Sequence, residues 1–178
     1  MNRTIPWIAS ALLFTATFSQ ARSIRAANEP RAALRQTEAD ALKAASDAED
    51  LERARQNILT NETDMEFLMQ IDDDIHRLGK DVAHLESEQA SLTPWEREAL
   101  MKAVPLLRDA ASNADQAVLF LKGNVAPTWT SKAFQSNTEK IQAGFAQAAK
   151  LLRNYLKLED TAGREEQLRQ NLGLKSGS

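Results

Sequence analysis

The sequence predicts an all-α protein, namely an antiparallel up-down four-helix bundle with coiled-coil-like seams and a possible short fifth helix at the C-terminus. Alanine and leucine dominate the apolar residues, and only six glycines and five prolines occur among 178 residues, a composition that favours helix. Apolar residues recur at alternating steps of three and four in four stretches, which is the spacing of one helix face. Short connections between these stretches favour antiparallel neighbours.

The N-terminal residues 1–21 have the pattern of a cleavable signal peptide. Asn2 and Arg3 precede an apolar run over residues 5–18, which is shorter than the roughly 20 residues needed to span a bilayer. Ser19 and Ala21 supply small residues at the −3 and −1 positions, so we expect cleavage after Ala21 and a periplasmic or secreted protein. An uncleaved membrane anchor is the alternative; after cleavage no stable membrane span is expected.

Charge and cysteine content exclude several function classes. Removal of residues 1–21 takes away Arg3 and no acidic residue, so the formal net charge falls from −3 to −4. Basic residues are interspersed with acidic ones rather than clustered, which argues against nucleic-acid binding. The chain has no cysteine, which rules out disulfides, thiolate metal sites, iron–sulfur clusters, covalently attached haem and thiol catalysis.

The mature chain divides into a flexible segment (residues 22–28), a helical bundle domain (29–172) and a disordered tail (173–178). Asn28 is the expected cap of the first helix, with Pro30 in its first turn. We call a stripe at alternating steps of three and four a seam. The first seam ends near residue 58 and is rich in alanine: Leu34, Thr37, Ala41, Ala44, Ala48, Leu51, Arg55 and Ile58.

The second helix is predicted to begin at a capping box, in which the Thr63 hydroxyl and the Glu66 carboxylate each satisfy a free backbone amide of the other residue. Its seam is the most regular in the chain: Leu68, Ile71, Ile75, Leu78, Val82, Leu85, Gln89 and Leu92.

The third helix is predicted to start with Thr93 as cap, Pro94 at the first helical position and Glu96 closing a second capping box. Two adjacent seams predict burial against several neighbours. Pro105 lies inside the helix and is expected to kink it. The seams are Leu100, Val104, Leu107, Ala111, Ala114, Val118, Leu121 and Ala99, Ala103, Leu106, Ala110, Asn113, Ala117, Phe120.

Gly123 and Asn124 are expected to end the third helix, and a loop follows over residues 125–130. Residues 160–172 either prolong the fourth helix or form a short fifth one, with Gly163 leaving both open. The seam of the fourth helix consists of Phe134, Thr138, Ile141, Phe145, Ala148, Leu152 and Tyr155.

Two arrangements satisfy these seams. The simpler is a four-helix bundle with helices of near-equal length. The rival is an elongated helical hairpin that completes its core by dimerising. The alanine seam of the first helix must either pack closely or bind weakly, so we expect this helix to be the least firmly held.

The candidate metal and haem ligands fall outside the predicted core. His76 and His84 follow Asp73 and Asp81 at the i+3 spacing that brings ligands onto one helix face. Both pairs lie on one helix and flank its seam, whereas di-iron bundles draw ligands from four helices. The potential haem-ligand methionines lie beside their seams as well: Met65, Met69 and Met101. The sequence therefore predicts no metal, cofactor or catalytic residue.

Other polar residues have structural interpretations. Asp72, Asp73 and Asp74 occupy consecutive helical positions that fan apart, so a solvated face is preferred to a calcium site. Arg55 is expected either to pair with Glu66 or Asp72 or to extend to water.

Asn113 and Thr138 are predicted to hydrogen-bond to neighbouring helices from within the core. Tyr155 is expected to fill the core with its hydroxyl at the rim. Trp95 is expected to cover a core end, while Trp129 is a candidate anchor for a partner. Residues 61–63 match a glycosylation sequon that matters only in a eukaryotic host.

These observations favour a non-enzymatic interaction or scaffolding module of the cell envelope, binding a protein partner or a second copy through helix faces. The alternative is a carrier that holds a small ligand or cofactor in the bundle interior. A sizeable apolar cavity near Pro105 would favour the carrier, and a packed interior with an apolar surface stripe would favour the interaction module. An enzyme ranks third, because no nucleophile–base pair and no converging carboxylates are visible.

Overall fold

The computed structural model describes residues 15–56, 61–123 and 131–172, with side chains in residues 29–54, 63–123 and 131–172. The described residues form four α-helices: α1 (Thr15–Gln56), α2 (Asn61–Ser87), α3 (Pro94–Gly123) and α4 (Lys132–Asn171). Each helix packs beside the next, and α4 returns to pack along α1. This closes the four-helix bundle that the sequence predicts and excludes the open hairpin for the single chain.

Hydrogen bonds between α1 and α4 establish that these two helices are antiparallel. The Arg153 Nε donates to Glu38 Oε1 over 2.8 Å, and the Thr138 hydroxyl donates to Glu52 Oε2 over 2.9 Å. As residue numbers rise along α1, the numbers of their partners fall along α4. The topology is therefore up-down-up-down around the whole bundle.

The interior consists of two apolar clusters that follow the predicted seams. The larger one surrounds Phe145 and Ile141, and the smaller one lies at the end of the bundle where α2 connects to α3. The alanines of the α1 seam have no exposed surface, because small side chains let this helix approach α2 and α4 closely. The expectation that α1 is the least firmly held helix is therefore wrong.

The helix ends depart from the predicted ones at several points. α1 begins at Thr15, so in the full chain it includes residues 22–28 and the expected cap Asn28, since the preceding alanines and arginines all favour helix. α2 begins at Asn61, which places the predicted cap Thr63 inside the helix. α4 continues unbroken through Gly163, so no separate fifth helix forms.

α1 and α4 are longer than α2 and α3, so the helices are not of near-equal length. They contain 42 and 40 residues, against 27 in α2 and 30 in α3. Every side chain in residues 161–172 is exposed, because α2 and α3 have ended before this level of the bundle. The end of α4 thus projects beyond the packed core.

The connection between α2 and α3 replaces the last predicted turn of α2. The helix ends at Ser87, where the Ser87 hydroxyl donates to the His84 carbonyl over 2.7 Å. Gln89 is consequently exposed, although the sequence placed it in the seam, while Leu92 is buried from the turn. Within the described residues, no helix has the length and apolarity to cross a membrane.

Candidate functional site

The least packed contact between neighbouring helices is that of α2 with α3. An apolar groove of about 200 Å³ opens to solvent there. Its floor is formed by Leu78, Leu107 and Phe145, and small side chains at Gly79, Ala83 and Ala111 leave the space unfilled. The remaining lining residues are Ile75, Val82, Glu86, Val104 and Arg108.

Gly79 has no structural reason to be a glycine. A Cβ built on it would meet no atom within 4 Å, whereas glycine inside a helix costs about 1 kcal/mol relative to alanine. Gly144 is the opposite case, because its Cβ would lie 2.8 Å from the Cβ of Ala110. There α3 and α4 approach so closely that only hydrogen fits. Gly79 therefore lowers the stability of α2, and no packing contact within the chain offsets this loss.

Pro105 lies directly beside the groove. Its neighbours Val104, Leu107 and Arg108 contribute to the lining, while Pro105 itself is exposed on the outer surface of α3. The helix runs through Pro105 without interruption from Pro94 to Gly123, so the predicted kink does not break it. A proline here forfeits one backbone hydrogen bond, which adds a second unexplained cost at the same place.

An ion pair crosses the rim of the groove. The Arg108 guanidinium lies 3.2 Å from Glu86 Oε1, and both side chains are largely exposed. An exposed pair of this kind contributes little stability. Its geometric role is to join α3 to α2 at the end of the groove nearest the α2–α3 connection.

A second polar cluster lies between α1 and α2, where sequence patterns did not place one. Asp74 is completely buried and accepts hydrogen bonds from Lys43 of α1, at 3.0 and 3.1 Å, and from Arg77 of its own helix. The solvated face predicted for the three aspartates is correct for Asp72 and Asp73, which are exposed. It is wrong for Asp74, because this position faces α1.

Two turns further along α2, the carboxyl groups of Asp81 and of Asp40 on α1 face each other. Burial raises the pKa of the Asp81 carboxyl above its usual value, and the charge of Asp40 and a hydrogen bond with it raise this pKa further. Gln36 donates to Asp40 Oδ2 over 3.0 Å, while the buried Asp81 Oδ2 has no hydrogen-bond partner. Two facing carboxyls repel each other when both are ionised, so acid stabilises this contact.

The histidines lie on the surface. His76 is 68% exposed, and its Nδ1 is 2.9 Å from the carbonyl oxygen of Asp72, one position before the aspartate that the spacing indicated. His84 is also exposed and lowers the pKa of nearby Asp81 by its charge. Met69 and Met101 are exposed as well, and Met65 is half-buried. Across the described ranges, no three acidic or histidine side chains converge as metal ligands.

Of the two predicted polar contacts between helices, the structure confirms one and contradicts the other. Thr138 is buried and bonds to Glu52 across the α1–α4 interface, as predicted. Asn113 instead donates to the Asp109 carbonyl of its own helix over 2.6 Å, because it lies at the edge of the wide α3 seam. Arg55, Ile58, Trp129 and the sequon asparagine lie outside the described side chains.

Two residues at the α2–α3 end behave as predicted. Trp95 is half-buried against the smaller core cluster. The Tyr155 hydroxyl, at the rim, accepts a hydrogen bond from Lys102 Nζ over 2.8 Å. The hydrogen bonds of Lys102 to Glu98 and to Tyr155 hold its pKa above the usual value. The amine is thus protonated at neutral pH.

Comparison with models of known protein families, with curated proteins and with solved structures finds no match for this chain. The groove, Gly79 and Pro105 are therefore the features of this chain that bear on its function.

Proposed function

We propose that the protein is an exported, non-enzymatic interaction module of the cell envelope that receives a helix of a protein partner in the α2–α3 groove. The observation that carries the proposal is the groove itself, an apolar concavity kept open by Gly79, Ala83 and Ala111. A groove between two antiparallel helices can hold the apolar face of a third helix, whose side chains at positions i, i+3, i+4 and i+7 enter the groove.

The dimensions of the groove favour a helix over a small molecule. Ile75 and Glu86 mark its ends on α2, and eleven helical steps span about 16 Å. Its volume of about 200 Å³ is below the roughly 300–1,000 Å³ of small-molecule sites, which also enclose most of their ligand. One or two aliphatic side chains of a partner would fill it.

A carrier of a small apolar ligand is the second candidate, because the groove lies next to Pro105 and is lined mainly by apolar side chains. It requires the groove to widen, which separation of α2 from α3 at their weak contact would permit. The ligand would then extend toward Phe145 in the interior.

Photocrosslinking in living cells tests the proposal. A photoreactive residue replaces Ala83 in the groove or, as a matched control, the exposed Ala143 of α4. We expect a protein adduct from position 83 and none from position 143. Filling the groove with Gly79→Leu in the same chain should abolish the adduct, because its space is then occupied.

Mass spectrometry of the adducts and of the purified protein distinguishes the candidates. A crosslinked peptide with helical apolar spacing supports the interaction module. No protein adduct from position 83, together with a bound small molecule that Gly79→Leu releases, refutes it in favour of the carrier. Export is tested separately, since the mature protein should begin at Arg22.

A further inference from the structure

α3 carries a third heptad stripe besides its two buried seams. It consists of residues at steps of four, three, four, three and four, and all of them are exposed: Met101, Pro105, Arg108, Ser112, Asp115 and Leu119. The two ends are large apolar side chains, each 67% exposed. Arg108 belongs to this stripe, lines the groove and pairs with Glu86 of α2, so the stripe borders the groove at this position. Such spacing lets one straight helix pack along another.

The charged and apolar residues of the stripe are complementary to those of a second copy that lies antiparallel to it. An antiparallel second copy places Leu119 opposite Met101 at both ends, and it brings Asp115 within one turn of Arg108. A parallel second copy would instead oppose Arg108 to Arg108 and Asp115 to Asp115, and like charges in contact select against a pairing. A twofold axis repeats each contact twice, as in most homodimers. Within the described residues Asp115 forms no ion pair of its own, which leaves it available for this contact.

We propose that the exposed α3 stripe, with the groove rim at Arg108, is a homodimer interface in which α3 of a second copy lies antiparallel to α3. This inference rests on the proposed function and names the partner helix. The Glu86–Arg108 pair borders this interface on its groove side.

The area of the interface limits the affinity of the dimer. Met101 and Leu119 are 18 steps apart, or about 27 Å, and two helices are roughly 20 Å wide. Both copies together would bury about 1,000 Å², near the lower end of specific interfaces. We therefore expect a reversible dimer with a dissociation constant in the micromolar range rather than an obligate one.

Charge reversal on the full chain, followed by sedimentation equilibrium, tests the pairing. Arg108→Glu and Asp115→Arg should each weaken dimerisation at least tenfold, and the double variant should recover to within about threefold of the parent. Lys157→Glu makes the same charge change as Arg108→Glu on an exposed position of α4 and should have no effect. A chain that is monomeric at 100 µM, or a dimer that neither reversal weakens, overturns the proposal.

Cysteine crosslinking provides an independent readout, since the chain has no native cysteine. Met101→Cys combined with Leu119→Cys should give a disulfide-linked dimer in mild oxidant, whereas either substitution alone should remain monomeric on a reducing-agent-free gel. Equal crosslinking by the single variants would refute the antiparallel register. If the groove crosslinks in cells only to a different protein, the dimer fails while the proposed interaction module stands.

Discussion

Gly79 and Gly144 have opposite environments, so replacing each by alanine should change the free energy of unfolding in opposite directions. Gly79→Ala should raise the free energy of unfolding by up to about 1 kcal/mol, because a methyl group meets open space and alanine has the higher helix propensity. Gly144→Ala should lower it by about 1–2 kcal/mol, because the new methyl group clashes with the Ala110 Cβ at 2.8 Å. Urea denaturation of both variants measures the difference, and a shift of the same sign in both would contradict the assigned helix spacing.

The Asp40–Asp81 pair makes stability depend on pH. The pKa of Asp81 is higher in the folded protein than its ordinary value of 3.8, so protonation favours folding. Its stabilising contribution is full below that value and is lost as the pH rises through the raised pKa.

Asp81→Asn should therefore stabilise the protein at pH 7, by about 0.5 kcal/mol after allowance for solvent screening, because the amide donates to Asp40 without an ionised partner. It should also flatten the increase in stability between pH 7 and pH 4. Thermal unfolding at both pH values measures this, with Asp73→Asn at an exposed position as control. An equal pH dependence in the parent and in Asp81→Asn would mean that folding does not raise the pKa of Asp81.

At the scale of elements, the start of α3 is the best-defined helix end. The Glu96 Oε2 accepts hydrogen bonds from the Thr93 amide and hydroxyl, each at 2.8 Å, while the Thr93 hydroxyl accepts from the Glu96 amide at 3.4 Å. Glu96 is only 3% exposed, so its carboxylate depends on these donors.

Thr93→Ala should accordingly lower the free energy of unfolding by about 1–2 kcal/mol, since it removes a cap and leaves a buried carboxylate short of a donor. Chemical denaturation monitored by circular dichroism gives the value. Thr161→Ala, on an exposed turn of α4, is the matched control and should be close to neutral. A neutral result for Thr93→Ala would show that Glu96 finds another donor.

At the scale of the whole molecule, the bundle should not need the projecting end of α4. A truncation after Asp160 removes only exposed side chains of α4 and retains the contacts of Asp160 with Arg31 and Arg35. The melting temperature should change by less than about 3 °C, because no buried area is lost. A truncation after Tyr155 also removes the buried Leu156 and should destabilise clearly. Equal effects of both truncations would place part of the core beyond Asp160.

The bundle is foreseeable from the sequence because its seams are regular and its core is simple. Leu34, Leu68, Phe134 and Leu152 are buried where the steps of three and four place them, since apolar burial and helix geometry act locally and in register. The Thr93 cap follows for the same reason, because all its partners lie within three residues.

The sites are less accessible to sequence patterns because they depend on contacts between distant segments. Asp74 resembles Asp73 in sequence, and only the approach of Lys43, 31 residues away, makes it a buried acceptor. Gly79 and Gly144 are likewise indistinguishable until α3 lies beside one and open space beside the other. Gln89 continues the seam spacing because the turn after Ser87 contains no strong helix breaker.

Local sequence is enough to specify the number of helices, their inward faces, the cap at Thr93 and the lack of any cysteine chemistry, because propensity, periodicity and composition do not depend on how the helices assemble. Tertiary structure alone decided that α1 packs tightly, that α2 and α3 leave a groove, and that Asp81 faces Asp40. These outcomes depend on the distances between helix axes, which are set where side chains from separate helices meet. That dependence also explains why the groove and the exposed α3 stripe emerge only once the helices are assembled.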